Sequence, residues 1–239
     1  MPTVPAPRDP SQAPRREPTR WVGLSPDDRR AERRELLLDA GFELLGESGW
    51  SATTVRAVCQ TARLNPRYFY ESFVDLDALV VALYDRLVGE LGVEVKAATD
   101  AAGGDRRAQT RAAIDRIVGF VDEDRRRGRV LYVEALGNEA LNRRRIETGH
   151  ALVAVVEQHA VGSQGVGKHA VSTRHAAGGA QHIGRIGAAV LVGGTSELVM
   201  AWLDGRIDVP REQLVDDATE LFLAVGDAAA RVAARRRSP

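Results

Sequence analysis

A single cysteine, Cys59, stands among 239 residues, which excludes an intramolecular disulfide framework and a multi-cysteine metal site. Lysine is almost absent: of thirty-three basic residues only Lys96 and Lys168 are lysines, a compositional bias that carries no functional argument. An excess of charge of either sign is missing too. Thirty-three basic residues face thirty-three acidic ones, so a uniformly cationic coat is excluded and any nucleic-acid contact must come from a local patch. No apolar run is expected to approach the ~18 residues of a membrane span, and the N-terminus lacks the apolar core of a signal peptide. A cytoplasmic chain with no membrane partner is the expectation. What is present, 44% apolar and 28% charged residues in 25.9 kDa, suffices for one large domain or two modest ones with a real core.

Residues 1–28 hold seven of the ten prolines and little apolar periodicity, and read as a disordered tail carrying Arg8, Arg15, Arg16 and Arg20. From residue 29 onward the pattern is helical. Leu37, Ala40, Gly41, Leu44 and Leu45 fall on one face of a first helix that stops near Gly46–Gly49. A second helix starts at Ser51–Thr54, with Val55, Val58, Cys59 and Ala62 on its buried side. Asn65-Pro66 opens a third, because asparagine is a favoured N-cap and proline suits the first helical position. Asp75 caps a fourth, with Leu76, Leu79, Val80, Leu83, Leu87 and Leu91 at helical spacing.

Residues 105–161 read as two or three amphipathic helices, with stripes at Ile114, Ile117, Val118 and Val121, at Val130, Leu131, Val133 and Leu136, and at Leu152, Val153, Val155 and Val156. Residues 162–185, rich in Gly, His, Ala and Ser, read as a flexible loop. Two helices close the chain, around 185–205 and 210–234. No strand-like alternation occurs, so the expected fold is all-α, with a helix-turn-helix domain over 29–90 and a second helical domain over 91–235. Charge is uneven: residues 1–70 carry eleven basic and nine acidic residues, whereas 71–100 carry two and seven. The first stretch is only slightly positive, so motif geometry must carry any argument for nucleic-acid binding.

Two short helices joined by a turn of three or four residues and flanked by supporting helices make a helix-turn-helix. Arg34-Glu35-Leu36-Leu37-Leu38-Asp39-Ala40-Gly41-Phe42, Gly49-Trp50-Ser51-Ala52-Thr53-Thr54-Val55-Arg56-Ala57-Val58 and Leu64-Asn65-Pro66-Arg67-Tyr68-Phe69-Tyr70-Glu71-Ser72-Phe73 together resemble the DNA-binding domain of the TetR family. Within it, the chain resembles in particular the subgroup whose recognition helix ends in Tyr-Phe-Tyr-x-x-Phe. The resemblance covers about residues 30–85. It implies a homodimeric regulator on a near-palindromic operator in double-stranded DNA, probed by one recognition helix per half-site. A repressor released by a small-molecule effector is expected, with no cofactor, no metal and no enzymatic activity.

Residue by residue, Thr53 and Thr54 are expected to hold a phosphate at the start of the second helix. Arg56 is placed for a phosphate or a base edge. Asn65, Pro66, Arg67 and Tyr68 form the first turn of the recognition helix. Arg67 is the candidate for specificity, since a guanidinium pairs two-pronged with guanine O6 and N7. Tyr70 matches the family's phosphate-contacting tyrosine, while Phe69 and Phe73 face inward against Phe42 and Leu45. Two positions depart from the family, which usually has alanine where Cys59 stands and glycine where Arg63 stands. A small buried residue suits the first; at the second, a left-handed backbone on a non-glycine residue, at a cost of about 1 kcal/mol or more, is one expectation and an added phosphate contact is the other. The C-terminal domain is expected to dimerise through its last two helices, with Gly193-Gly194 suited to close helix approach. Ile117, Phe120, Val121, Tyr132, Leu136 and Trp202 are candidate walls of an effector pocket, and equally ordinary core residues.

Three features point elsewhere. Gly162-Ser163-Gln164-Gly165-Val166-Gly167-Lys168-His169 nearly spells a phosphate-binding P-loop, but histidine replaces the hydroxyl that Mg²⁺ requires. A nucleotide-binding or enzymatic protein using this loop is the alternative function. A helical interaction module that has lost DNA binding is another, if Arg63 distorts the turn. All five histidines (His150, His159, His169, His175, His182) lie within 33 residues, yet no two have the spacing that puts ligands on one helical turn. The arginine runs 125–129 and 143–145 sit beside acidic residues and read as solvated, partly paired faces.

Overall fold

In a computed structural model, residues 25–162 and 174–237 are described, and among them every regular element is helical. Helix α1 spans Pro26–Ser48, α2 Val55–Thr61, α3 Pro66–Ser72, α4 Leu76–Ala101 and α5 Arg106–Glu123. A short α6, Arg125–Gly128, runs into a π-helical segment, Arg129–Glu134, and a single turn α7, Ala135–Gly137. Then come α8 (Glu139–Gly162), α9 (Arg174–Leu203) and α10 (Arg211–Arg237).

The caps expected from the sequence are in place. Thr54 Oγ1 accepts from Ala57 N at 3.1 Å, Asn65 Oδ1 from Arg67 N at 2.9 Å, and Asp75 Oδ1 from Ala78 N at 2.8 Å. Each satisfies a helix-start N–H that has no partner within its helix. Helix α1 starts earlier than expected: Ser25 caps it and Pro26 is its first residue, so residues 26–28 belong to the helix rather than to a tail. The rest of the tail, including its four arginines, lies outside the described residues.

Between α2 and α3 the chain makes a Schellman turn. Arg63 has φ 54° in the left-handed region, its N–H donates to Gln60 O at 3.1 Å, and Leu64 N–H donates to Cys59 O at 2.9 Å. Both bonds of the motif are intact, so the arginine departure does not distort the turn.

One continuous core runs through α1–α4 into the second half. Leu37, Leu45, Val58, Phe69, Leu79, Val80 and Leu83 pack with Phe120, Val121, Val130, Leu141 and Val199. A division of the chain at 90/91 therefore falls inside α4, which serves both halves. Helices α1 and α4 meet where a Cβ on Gly41 would lie 2.6 Å from Leu79 Cδ2. A second cluster joins α5 to α10 through Ile114, Val118, Leu214, Val215 and Ala218, with Leu198 and Trp202 of α9 against it.

Three sequence expectations are corrected. Residues 174–185 are helical rather than loop, since α9 begins at Arg174. Their Gly- and Ala-rich composition gave little apolar periodicity, yet alanine is the best helix former. The stripe Val130, Leu131, Val133, Leu136 does not bury as a unit. Val130 and Leu131 are buried, whereas Val133 and Leu136 are exposed, because the π turn inserts one residue per hydrogen-bonded ring and rotates the later side chains out of phase. Within α9, the segment His182–Leu203 is long and apolar enough to cross a membrane by length and composition, with a mean hydropathy of 1.6. It packs along α8 and α10, with Ile183, Ala188, Val199 and Ala201 buried and Ile186 and Val190 exposed.

Candidate nucleic-acid interface

Helix α3 is seven residues long and could not stand alone in water. Its position comes from packing. Phe69 and Phe73 are buried, their rings 5.7 Å apart, within the core that includes Phe42 and Leu45. Three arginines of α1 brace its far end. Arg30 Nη2 donates to Glu71 O at 2.5 Å and Arg34 Nη1 to Ser72 O at 3.3 Å, satisfying carbonyls that the helix end leaves open. Arg33 Nη2 reaches Glu71 Oε2 at 3.5 Å, while its guanidinium lies 4.5 Å from the centre of the Tyr68 ring. Arg34 stacks likewise over Phe73 at 4.3 Å.

The opposite edge of α2 and α3 is open. Thr54, Arg56, Arg63, Asn65, Pro66, Arg67 and Tyr70 are exposed, the Arg67 side chain at 82% and Tyr70 at 62%. Adjacent positions of this short helix thus face opposite ways, Phe69 into the core and Tyr70 into solvent. Of the expected contacts, Tyr68 is half-buried under Arg33. Thr53 is a correction: it is buried, and its hydroxyl donates to Gly49 O at 2.9 Å, so it staples the turn before α2 and cannot reach a phosphate. Only Thr54, the true cap, remains at that end. Cys59 is buried in the core, and burial pushes its thiol pKa up, which suits a packing residue rather than a reactive one.

A polar joint ties this unit to the second half. Glu134, at the end of the π segment, accepts from Trp50 N with Oε2 at 2.9 Å and from Arg129 Nε with Oε1 at 2.8 Å. Arg129 Nη1 donates to Glu47 O at 2.9 Å, and Arg126 Nη1 to Glu47 Oε1 at 3.2 Å. The Arg126 guanidinium lies 4.9 Å from the Phe42 ring centre and binds Asp124, which holds that carboxyl below the usual aspartate range. Gly49 has φ 79°, and a Cβ there would meet Arg129 Nη2 at 2.8 Å and Glu134 Oε1 at 3.0 Å, so the joint closes only around glycine. Sequence reasoning missed all of this, since its partners lie about eighty residues apart. Asn138 adds a second tie, donating to Asp77 Oδ1 at 2.9 Å at the start of α4.

Residues 37–83 match the family described as bacterial regulatory proteins, tetR family. They span the helix-turn-helix and the helices that flank it. This TetR-type domain includes the open edge of α2 and α3 and the core beneath it. No curated protein sequence is significantly similar to the chain. Among solved structures, the fatty acid degradation regulator FadR from Bacillus halodurans is similar with a TM-score of 0.65 at 14% identity, over 80% of this chain and 94% of that one. A transcriptional regulator from Rhodococcus gives 0.63 at 18% identity, over 82% and 97%. FadR from Bacillus subtilis, solved in complex with stearoyl-CoA, gives 0.62 at 14% identity, over 80% and 98%. At these identities the likeness establishes the fold alone, over the matched four-fifths of the chain: a TetR-type domain continued by a helical second half.

The six candidate pocket residues are spread over two apolar clusters and the surface. Ile117, Phe120, Val121 and Tyr132 belong to the main core, Trp202 packs against the α5–α10 cluster and donates from Nε1 to Val209 O at 3.0 Å, and Leu136 is 60% exposed, which removes it from any interior wall. Burial pushes the Tyr132 phenol up to about 12. Both arginine runs are engaged internally. Arg125 reaches Leu203 O, Arg127 reaches Phe120 O, Arg143 pairs with Glu139, and Arg144 pairs with Asp85 and Glu147. Among the described residues no group of histidine, cysteine and carboxylate side chains is arranged to hold a metal. His150 and His182 are exposed, and the side chains of His159, His169 and His175 lie outside the described residues, as does nearly all of the P-loop-like stretch.

Proposed function

We propose that the chain is a sequence-specific, DNA-binding transcriptional regulator that works as a homodimer on a near-palindromic site and lets go when a small molecule binds its second half. The observation that carries this reading is the asymmetry of α3. Its aromatic side is buried and braced by three arginines, while Arg67 and Tyr70 are exposed on an edge shared with Thr54 and Arg56. Phosphate contacts from Thr54, Arg56 and Tyr70 would set the register, and Arg67 would supply base readout. Asn65, Pro66 and Tyr68 shape the first turn. The Tyr-Phe-Tyr-x-x-Phe ending of α3 supports the reading that the chain falls in the corresponding TetR subgroup.

Dimerisation is supported by the face shared by α9 and α10. Ile186, Val190 and Leu221 are exposed apolar residues there, and an apolar groove between the helices is lined by Val190, Leu191, Gly194, Leu198 and Phe222. A Cβ on Gly193 or Gly194 would meet no atom within 4 Å, so the space beside them is open to a partner helix. Effector release requires two arrangements of the dimer that differ in recognition-helix spacing. The joint at Glu134 is the place where a shift of the π segment would reach α1 and Trp50. The B. subtilis FadR complex shows one such fold holding an acyl-CoA; the effector of this chain is a small apolar or amphipathic molecule.

The test is a base-by-base comparison of two variants. Arg67→Ala relaxes preference at one or two positions of each half-site, at about 1–3 kcal/mol per position. Tyr70→Phe weakens binding evenly on all duplexes. Equal loss at every base position for Arg67→Ala overturns the assignment of base readout.

A further inference from the structure

Arg67 is not simply a loose cation on a helix surface. Its Nε donates to Glu71 Oε1 at 3.0 Å, one helical turn on. Glu71 is itself fixed on its other side: Oε2 faces Arg33 Nη2 at 3.5 Å and its carbonyl oxygen accepts from Arg30 Nη2 at 2.5 Å. The environments are graded, with the Arg33 side chain 15% exposed, Glu71 34% and Arg67 82%. An anchored carboxylate thus sits between a stacked, half-buried guanidinium on α1 and a solvent-exposed one on the open edge of α3.

We propose that Glu71 is the positioning residue for base recognition by Arg67. It rests on the reading of Arg67 given above and adds how that readout is aimed. A guanidinium presents either Nε with one terminal nitrogen or both terminal nitrogens to an acceptor pair. The carboxylate occupies Nε, which leaves the end-on pair Nη1 and Nη2 for guanine O6 and N7 and fixes the plane in which they lie. Its negative charge has a second effect. It offsets the pull of Arg67 toward phosphates, which are identical at every sequence, and so lowers sequence-independent binding. A lone i, i+4 ion pair on a helix surface would do neither in a way that depends on the base opposite.

The experiment uses the full-length protein and duplexes enriched from a random pool, each compared with versions in which single G·C pairs are exchanged for A·T. Wild type, Glu71→Ala, Glu71→Gln, Arg67→Ala and the double variant Arg67→Ala/Glu71→Ala are measured at two salt concentrations. Glu71→Ala is expected to lose roughly 3- to 10-fold of the preference at the Arg67-dependent guanine, part of the about 5- to 150-fold that a good bidentate contact supplies. Its affinity for unrelated duplexes holds or rises. Glu71→Gln keeps an acceptor oxygen without the charge, so it retains most of the guanine preference yet gains sequence-independent affinity. In the Arg67→Ala background, Glu71→Ala changes no base preference. An equal change on every duplex, or a guanine effect that persists without Arg67, overturns the proposal and leaves Glu71 a brace for α3. If Arg67→Ala itself leaves base preference intact, the base-readout assignment fails first and the role of Glu71 falls with it. Should Glu71→Ala not fold, the Glu71→Gln pattern decides: equal loss on all duplexes contradicts the proposal.

Discussion

Replacing Glu134 by alanine removes one carboxylate that serves two donors, Trp50 N–H across the boundary between the TetR-type domain and the second half and Arg129 Nε within its own π segment. The Glu134 side chain is 11% exposed and Arg129 is 40% exposed. A hydrogen bond to a charged group contributes about 1.5–3 kcal/mol. The backbone donor at Trp50 counts near the middle of that range, because its loss strands a part-buried N–H. The arginine half is discounted to below ~1 kcal/mol for its solvent exposure. The expected loss is therefore about 2–3 kcal/mol. For a chain of this size that lowers Tm by roughly 5–10 °C. Urea and thermal unfolding at fixed protein concentration measure it, with operator affinity followed in parallel. Glu134→Gln keeps an oxygen for Trp50 N–H and should cost only about 1 kcal/mol. A Glu134→Ala loss under about 0.5 kcal/mol would show that the joint does not hold the two halves together.

Other substitutions probe separate parts of the account. Gly41→Ala drives a methyl into Leu79 and should destabilise by about 1–3 kcal/mol in urea unfolding, whereas Gly89→Ala, where nothing lies within 4 Å, should not destabilise. Arg63→Gly relieves a left-handed backbone but adds unfolded-state freedom, so the melt should show a net change between zero and ~1 kcal/mol in favour of folding. The Asp124 carboxyl is depressed by its bond to Arg126, so its contribution is present above the ordinary aspartate pKa near ~4 and lost as pH falls further. Asp124→Asn should flatten that part of the acid-stability curve. Tyr132, raised to about 12, binds its proton more tightly in the folded state, so its contribution is complete below the ordinary phenol value of ~10 and declines above it. Ultraviolet phenolate titration of wild type against Tyr132→Phe reads it directly.

The helix-turn-helix was legible because its signals are local. Thr54, Asn65 and Asp75 each cap within three residues, and Phe69 and Phe73 declare a buried face four apart. The same locality misleads at Thr53, which is chemically identical to its neighbour; only the backbone turn decides which hydroxyl caps and which is buried. The polar joint was invisible for the opposite reason. Glu134 and Trp50 are 84 positions apart, and nothing in either neighbourhood marks the pairing. The π turn hid behind an ordinary helical stripe, since Val130, Leu131, Val133 and Leu136 fit a 3.6-residue period until one extra residue per turn shifts the phase. The apolar positions of α9 and α10 were readable as strong periodicity, but periodicity does not tell which of them a neighbouring helix covers, and Ile186, Val190 and Leu221 stay exposed.

Selection of bound duplexes from a random pool at moderate salt, with the stoichiometry of the winning complex, tests the central claim most directly. The account predicts an enriched inverted repeat bound by two chains, with recognition-helix separation matching one turn of DNA or a simple multiple. Weak binding without sequence preference, with an affinity set by salt alone, would contradict it.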